Sequence, residues 1–160
     1  MYHEIKKKRK KERIDKSAII HANRGDLRQN EKTGKWRMFG GGHGQTNIRE
    51  LKKYKIEHII NQTYKNGVRI GDVPNHKKSK KRKGSNQTWF PRIWTAGKIK
   101  RAGGKIINAI PYKLPDGRPT YGKYKNVKVG VIRTYGRVST IFPDKSQPLG
   151  IRKQRIKRLS

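Results

Sequence analysis

The spacing of apolar positions changes period several times along the chain, and each change marks an element. Ile14, Ala18 and Ile19 fall on one side of a helical pattern running from about Glu12 to Ile20. That pattern ends near His21, ahead of a turn at Asn23, Arg24, Gly25 and Asp26. Lys35 to Phe39 reads as a short strand. Asn47 and Glu50 fit the N-cap and N3 positions of a capping box, and Ile48 and Leu51 open an apolar face, so a helix is expected from Ile48 to about Lys55. Ile56 to Tyr64 is rich in β-branched residues and reads as a strand. Asn66 and Gly67 then predict a type I′ hairpin, with Val68 to Val73 as the return strand of an antiparallel sheet.

Further along, Gln87 to Trp94 (QTWFPRIW) gathers two tryptophans and a phenylalanine around Pro91 and reads as a core anchor. Thr95 caps a helix that places Ile99, Ala102, Gly103, Ile106 and Ile110 at helical spacing and stops at Pro111. Pro111 to Lys123 reads as a surface loop. Tyr124 to Tyr135 and Arg137 to Phe142 alternate as two strands joined at Tyr135 and Gly136. A chain of 160 residues with 31% hydrophobic positions can build one small core, so a single domain is expected, without internal repeats.

One stretch fits no packing pattern. In FGGGHGQTN, Phe39 to Asn47, the glycines Gly40, Gly41, Gly42 and Gly44 permit positive φ and close backbone approach around a single histidine, His43. Their N–H groups could face a phosphate, and a helix N-terminus follows at once. His43 is therefore the first candidate for a reacting group.

Charge narrows the partner. Lys and Arg number 43 against 10 Asp and Glu, a formal net charge of +33, which calls for a polyanion, with nucleic acid ahead of membrane. No apolar run approaches spanning length, so no membrane partner is expected. Lys6 to Lys11 is an unbroken basic run expected to stay solvated until it meets phosphate. Asn75 to Asn86 (NHKKSKKRKGSN) is a second such segment, placed between two strands as a phosphate-gripping loop. The final IRKQRIKRLS is a basic tail. Cysteine is absent, no HxxxH pair is present, and the carboxylates are scattered, so neither a metal nor another cofactor is expected.

Taken in order, His21, the GGGH of residues 40–43, the QTWFP of residues 87–91 and the GRVSTIFPD of residues 136–144 resemble the bacterial EndoU endoribonucleases. The resemblance runs from about Ser17 to Pro148. It implies a barnase-like α+β nuclease at residues 17–149, with N-terminal helices on a small antiparallel sheet. A basic extension (1–16) would precede it and a basic tail (150–160) follow. Two catalytic histidines are implied, falling on His21 and His43, with a lysine from the next region, either Lys77 beside His76 or Lys83. Gly41, Gly42, Ser139, Thr140 and Tyr135 are the implied substrate contacts. The interval from His21 to His43 is long for the family and implies an enlarged loop around Asn30 to Lys35. Relatives further imply a toxin domain of a secreted effector acting in a target cell's cytoplasm, a monomer, neutralised by an acidic immunity protein. They also imply a uridine preference, with tRNA as a plausible target.

The chemistry stands without the family. RNA carries its own nucleophile in the 2′-hydroxyl, so cleavage needs a base, an acid and a cation beside the charged phosphorane. Histidine suits both proton roles because its ordinary pKa of about 6.5 lies near working pH. Two other classes compete: a basic, non-catalytic RNA-binding protein of ribosomal type, and a metal-dependent DNase toxin whose hook is Asn75 with His76.

Overall fold

The computed structural model describes residues 10–148 and 150–151. Three helices, α1 (Lys16–Asn23), α2 (Gln45–Lys53) and α3 (Ala96–Ala109), pack with eight strands: β1 (Asp26–Gln29), β2 (Trp36–Gly40), β3 (Ile59–Thr63), β4 (Arg69–Asp72), β5 (Gln87–Trp89), β6 (Thr120–Tyr124), β7 (Val127–Thr134) and β8 (Arg137–Pro143). The strands form three antiparallel sheets, β1-β2, β3-β4-β5 and β6-β7-β8. The fold is α+β, as expected, although the expected single sheet is three small ones.

Two apolar clusters hold it. In the first, α1 (Ala18, Ala22) and α3 (Ile99, Ala102, Ile106, Ile107) cover Val127, Val129, Val131, Val138 and Ile141 of the third sheet. In the second, Ile48 and Leu51 of α2 meet Met38, Ile56, Val73 and Trp89. The anchor after β5 ties the two together. Neighbouring side chains of an extended chain point to opposite faces, so Trp89 enters the second cluster while Phe90 enters the first, stacked on Trp94 at 4.9 Å.

Local rules explain most boundaries. Thr95 accepts a hydrogen bond from Lys98 N (3.2 Å) as the N-cap of α3. Pro111 forces Ile110 into an extended conformation, so Ile107 fills the core position expected of Ile110. Tyr135 and Gly136 both have positive φ (52° and 74°) and close the β7-β8 hairpin where expected.

Other expectations need correction. The strand expected over Tyr124 to Tyr135 is broken by a tight turn at Lys125 and Asn126, whose φ values are 48° and 64°, so the expected surface loop ends in β6. The β3-β4 turn has positive φ at Gly67 (94°) but not at Asn66, and Gly67 N bonds to Tyr64 O at 2.9 Å. It is therefore a longer turn closed by a glycine bulge, not type I′. Gly44, not Asn47, is the N-cap of α2. Asn47 is buried, donating to Arg24 O (2.8 Å) and accepting from Trp89 Nε1 (3.0 Å), and Glu50 faces Arg24 at 3.6 Å. β1, with two of four residues exposed, was not expected: it starts at the last residue of the expected turn, Asp26, and continues past it.

The basic segments are more ordered than their charge implied. Of the expected extension, residues 10–15 lie against α3 and the third sheet. Glu12 forms a two-pronged ion pair with buried Arg133 (2.7 and 3.1 Å), and Ile14 enters the first core. Most of the Lys6 to Lys11 run, and residues 152–160 of the tail, lie outside the described residues. Ile151 bridges to Tyr64.

Candidate active site

The glycine stretch closes the end of α1. The last carbonyls of a helix lack partners within it, and here three successive N–H groups supply them. Gly42 N bonds to His21 O (2.9 Å), His43 N to Ala22 O (2.5 Å) and Gly44 N to Asn23 O (3.1 Å). These N–H groups are consumed by α1, so they do not form the phosphate cradle expected from the sequence. Gly41 and Gly42, with φ of 60° and 71°, are required by packing: a Cβ on Gly41 would collide with His21 O, and one on Gly42 with the Asn47 amide. The outcome is direct docking of His43 onto the helix turn that carries His21.

His43 is 6% exposed. Its Nδ1 lies 2.7 Å from Thr88 O, and a carbonyl can only accept, so Nδ1 bears the proton and Nε2 is left as the basic nitrogen. Burial first, then the charge of Lys81, push its pKa down to about 3. The bond to Thr88 opposes that shift, while His21 and Lys78 add to it. β5, which holds Thr88, is tied back in turn: Gln87 Nε2 donates to Gly42 O (2.9 Å), and Phe90 N donates to His43 O (2.6 Å).

His21 sits half-buried in the last turn of α1, with its pKa lowered by burial and by Lys78, and held up by Asp26. A Cβ placed on Gly40 would lie 3.5 Å from His21 Cε1 and 3.6 Å from Lys78 Nζ, so the two side chains meet over this glycine. The expected histidines are thus brought together. The lysines beside them are Lys78 and Lys81 rather than Lys77 or Lys83.

The basic loop between β4 and β5 explains that choice. It winds around His76, which is buried and accepts from Lys78 N at Nδ1 (2.9 Å), while its carbonyl accepts from Arg82 Nε (2.8 Å). Lys77 N is bonded to Met38 O (2.9 Å); Lys77, Lys78 and Lys83 are all exposed, and Lys81 is half-buried. Lys81 lies at the end of a 3₁₀ turn, Ser79–Lys81, with Nζ on Asn86 O (2.8 Å). Burial, then Lys80, Lys78 and Lys145, lower its pKa to about 8. His76, the hook for a metal-dependent DNase, is occupied in shaping this loop. Among the described residues no three His, Asp or Glu side chains converge.

β8 forms the opposite wall. Thr140 pairs with Ile132 and Val138 with Arg133, so Ser139 is an extra residue that lets both Val138 and Ile141 reach the core. Thr140 and Phe142 take the other face. The Phe142 ring lies 6.0 Å from that of His43, and the Thr140 hydroxyl is buried without a partner. Ser139 Oγ is bonded to Ile132 O (3.1 Å). Tyr135 is 95% exposed at the hairpin tip, roughly 20 Å along the strand from Phe142 at ~3.3 Å per residue. Tyr121 instead meets Phe142 edge-on at 6.1 Å, with Lys128 Nζ 4.9 Å from its ring centre.

Gln87 and Phe142 fall within the QTWFP and GRVSTIFPD motifs without standing out there, and Lys78, Lys81 and Tyr121 carry no signal in spacing or composition that sets them apart. Lys78 and Lys81 are two lysines in a run of lysines, and only the winding of the loop selects them. No curated protein and no solved structure matches the chain significantly. The site residues from His21 to Phe142 all lie within residues 15–145, which match the family model described as bacterial EndoU nuclease, and the chain belongs to that family.

Proposed function

We propose that the protein is an endoribonuclease that cleaves RNA by metal-independent attack of the 2′-hydroxyl, leaving 2′,3′-cyclic phosphate ends. The observation that carries this reading is the meeting of two histidines and Lys78 over Gly40–His43, with His43 Nδ1 fixed by Thr88 O. Because Nδ1 of His43 is held by Thr88 O, Nε2 is the nitrogen left to take the 2′-hydroxyl proton. His21 is less deeply buried and keeps Asp26 nearby, so it is the better proton carrier and donates to the leaving 5′-oxygen. Lys78 and Lys81 stabilise the charge that gathers on the phosphorane. The Phe142 and Tyr121 rings offer the substrate apolar surface.

Membership of a nuclease family favours this over a basic binding protein without chemistry, which has no use for a histidine held in one tautomer. The domain acts as a toxin in the cytoplasm of a target cell, delivered from a larger secreted protein. An acidic immunity protein keeps it inactive in the producer by covering the cleft.

The test is incubation with RNA in the presence of chelator, with analysis of product ends. Cyclic phosphate termini are expected. Linear 3′-hydroxyl ends, or a strict need for added metal, would defeat the mechanism.

A further inference from the structure

A groove remote from the histidines runs between the docked N-terminal segment and α3. Its walls carry exposed Lys10, Lys11 and Arg13 on one side and exposed Lys100, Arg101 and Lys105 on the other. The carboxylate at the groove, Glu12, is turned onto buried Arg133, so its charge is largely balanced there. The segment's path is fixed as well: Glu12 N donates to Asn108 Oδ1 (2.7 Å), and Asn108 Nδ2 donates back to Glu12 O (3.1 Å). Two rows of cations are thereby held facing one another before any ligand arrives. Residues 10–14 also lie outside the region that matches the family.

We infer that this groove is a second RNA site, which takes the phosphate backbone of a single strand whose scissile phosphate lies at His21 and His43. The groove ends at Ile14, and α1 leads from there to His21. α1 begins two residues beyond Ile14 and rises about 7.5 Å from Lys16 to His21 at ~1.5 Å per residue, and Lys16, Ser17 and Ile20 on the way are exposed. A strand leaving the histidines can follow this face of α1 and enter between the two rows. The inference rests on the ribonuclease reading for the direction of the strand. It adds that long RNA is held at two places and short RNA at one.

The test compares the full chain with Lys100→Ala/Arg101→Ala/Lys105→Ala and with Lys10→Ala/Lys11→Ala/Arg13→Ala, all exposed positions. Binding is measured across a salt series with 2′-O-methyl RNA, which lacks the attacking hydroxyl, at about 4 and at about 20 nucleotides, bracketing ordinary single-strand site sizes. For the longer RNA, affinity should fall roughly tenfold. Its salt slope should shrink by about two, from ~0.7 per lost phosphate contact. Binding of the short RNA and cleavage of a short unmodified RNA should stay at the level of the unsubstituted protein. Equal losses for both lengths, or none for the long RNA, overturn the inference. Loss of affinity for polyglutamate with long-RNA binding unchanged also overturns it, assigning the groove to an acidic protein. Because the probe cannot be cut, these outcomes are separate from failure of the ribonuclease reading, which would show as RNA left intact by the unsubstituted protein.

Discussion

His43 combines three constraints that rarely meet on one ring: its backbone N–H closes a helix, its carbonyl receives Phe90 N, and its Nδ1 is held by Thr88 O. Its remaining nitrogen, Nε2, is the one the proposed mechanism uses. His43→Gln and His21→Gln should each lower kcat by roughly 10² to 10⁴, the usual worth of one proton-transfer group, with RNA affinity nearly unchanged. Single-turnover kinetics beside a binding titration separates the two quantities. Normal turnover for either variant would remove that histidine from the mechanism. Lys78→Ala should likewise reduce kcat, while Lys77→Ala and Lys83→Ala should leave kcat unchanged, weaken binding and reduce its salt slope by about one unit each. The histidines were legible in the sequence because glycine crowding and a helix end mark them. The lysines were not, since a run of like residues has no internal landmark, and the path of the loop around buried His76 decides which of them lie beside the histidines.

At the level of elements, the glycine stretch is a packing device more than a ligand cradle. Gly42→Ala should destabilise by more than the ~1–2 kcal/mol that positive φ alone costs, because the new methyl also meets the Asn47 amide. Gly136→Ala, at φ 74° with open space around it, should cost only the conformational part. Gly104→Ala, in mid-α3 with nothing within 4 Å, should stabilise by about 0.5–1 kcal/mol. Denaturant melts of the three variants check that order, and equal losses for Gly42→Ala and Gly136→Ala would contradict it. The same stretch shows where sequence reading stopped. Alternation and capping located α1, α3, β7 and β8. The Lys125–Asn126 turn carries no glycine to announce itself, so the strand is expected to start at Tyr124 and β6 reads as part of the Pro111 to Lys123 loop.

For the whole molecule, buried neutral histidines couple folding to pH. His43 has a pKa of about 3 and His76 of about 4 in the folded state, both below the ordinary 6.5, so the unfolded chain binds protons that the folded one refuses. Their contribution is fully present above pH 6.5 and is lost as pH falls toward 3 to 4. For His43 alone the loss at pH 5 is roughly 2 kcal/mol. Thermal melts should therefore show falling stability below pH 6.5. His43→Gln should flatten that slope, and an unchanged slope would mean the ring is solvated. The +33 charge acts at this scale too. It was legible from composition, whereas its arrangement into an active cleft and a separate groove depends on how Glu12, Arg133 and His76 pin the basic segments. An acidic immunity protein that covers the cleft should associate more slowly as salt rises, since its attraction is long-range. Salt-independent association would contradict that picture. The most direct test of the account is a DNA oligonucleotide containing one ribose, incubated with the protein in chelator. Cleavage only at the ribose, with a 2′,3′-cyclic phosphate end and loss of cutting in His43→Gln, is the predicted result. Cutting at deoxyribose positions, or no cutting until metal is restored, would contradict it.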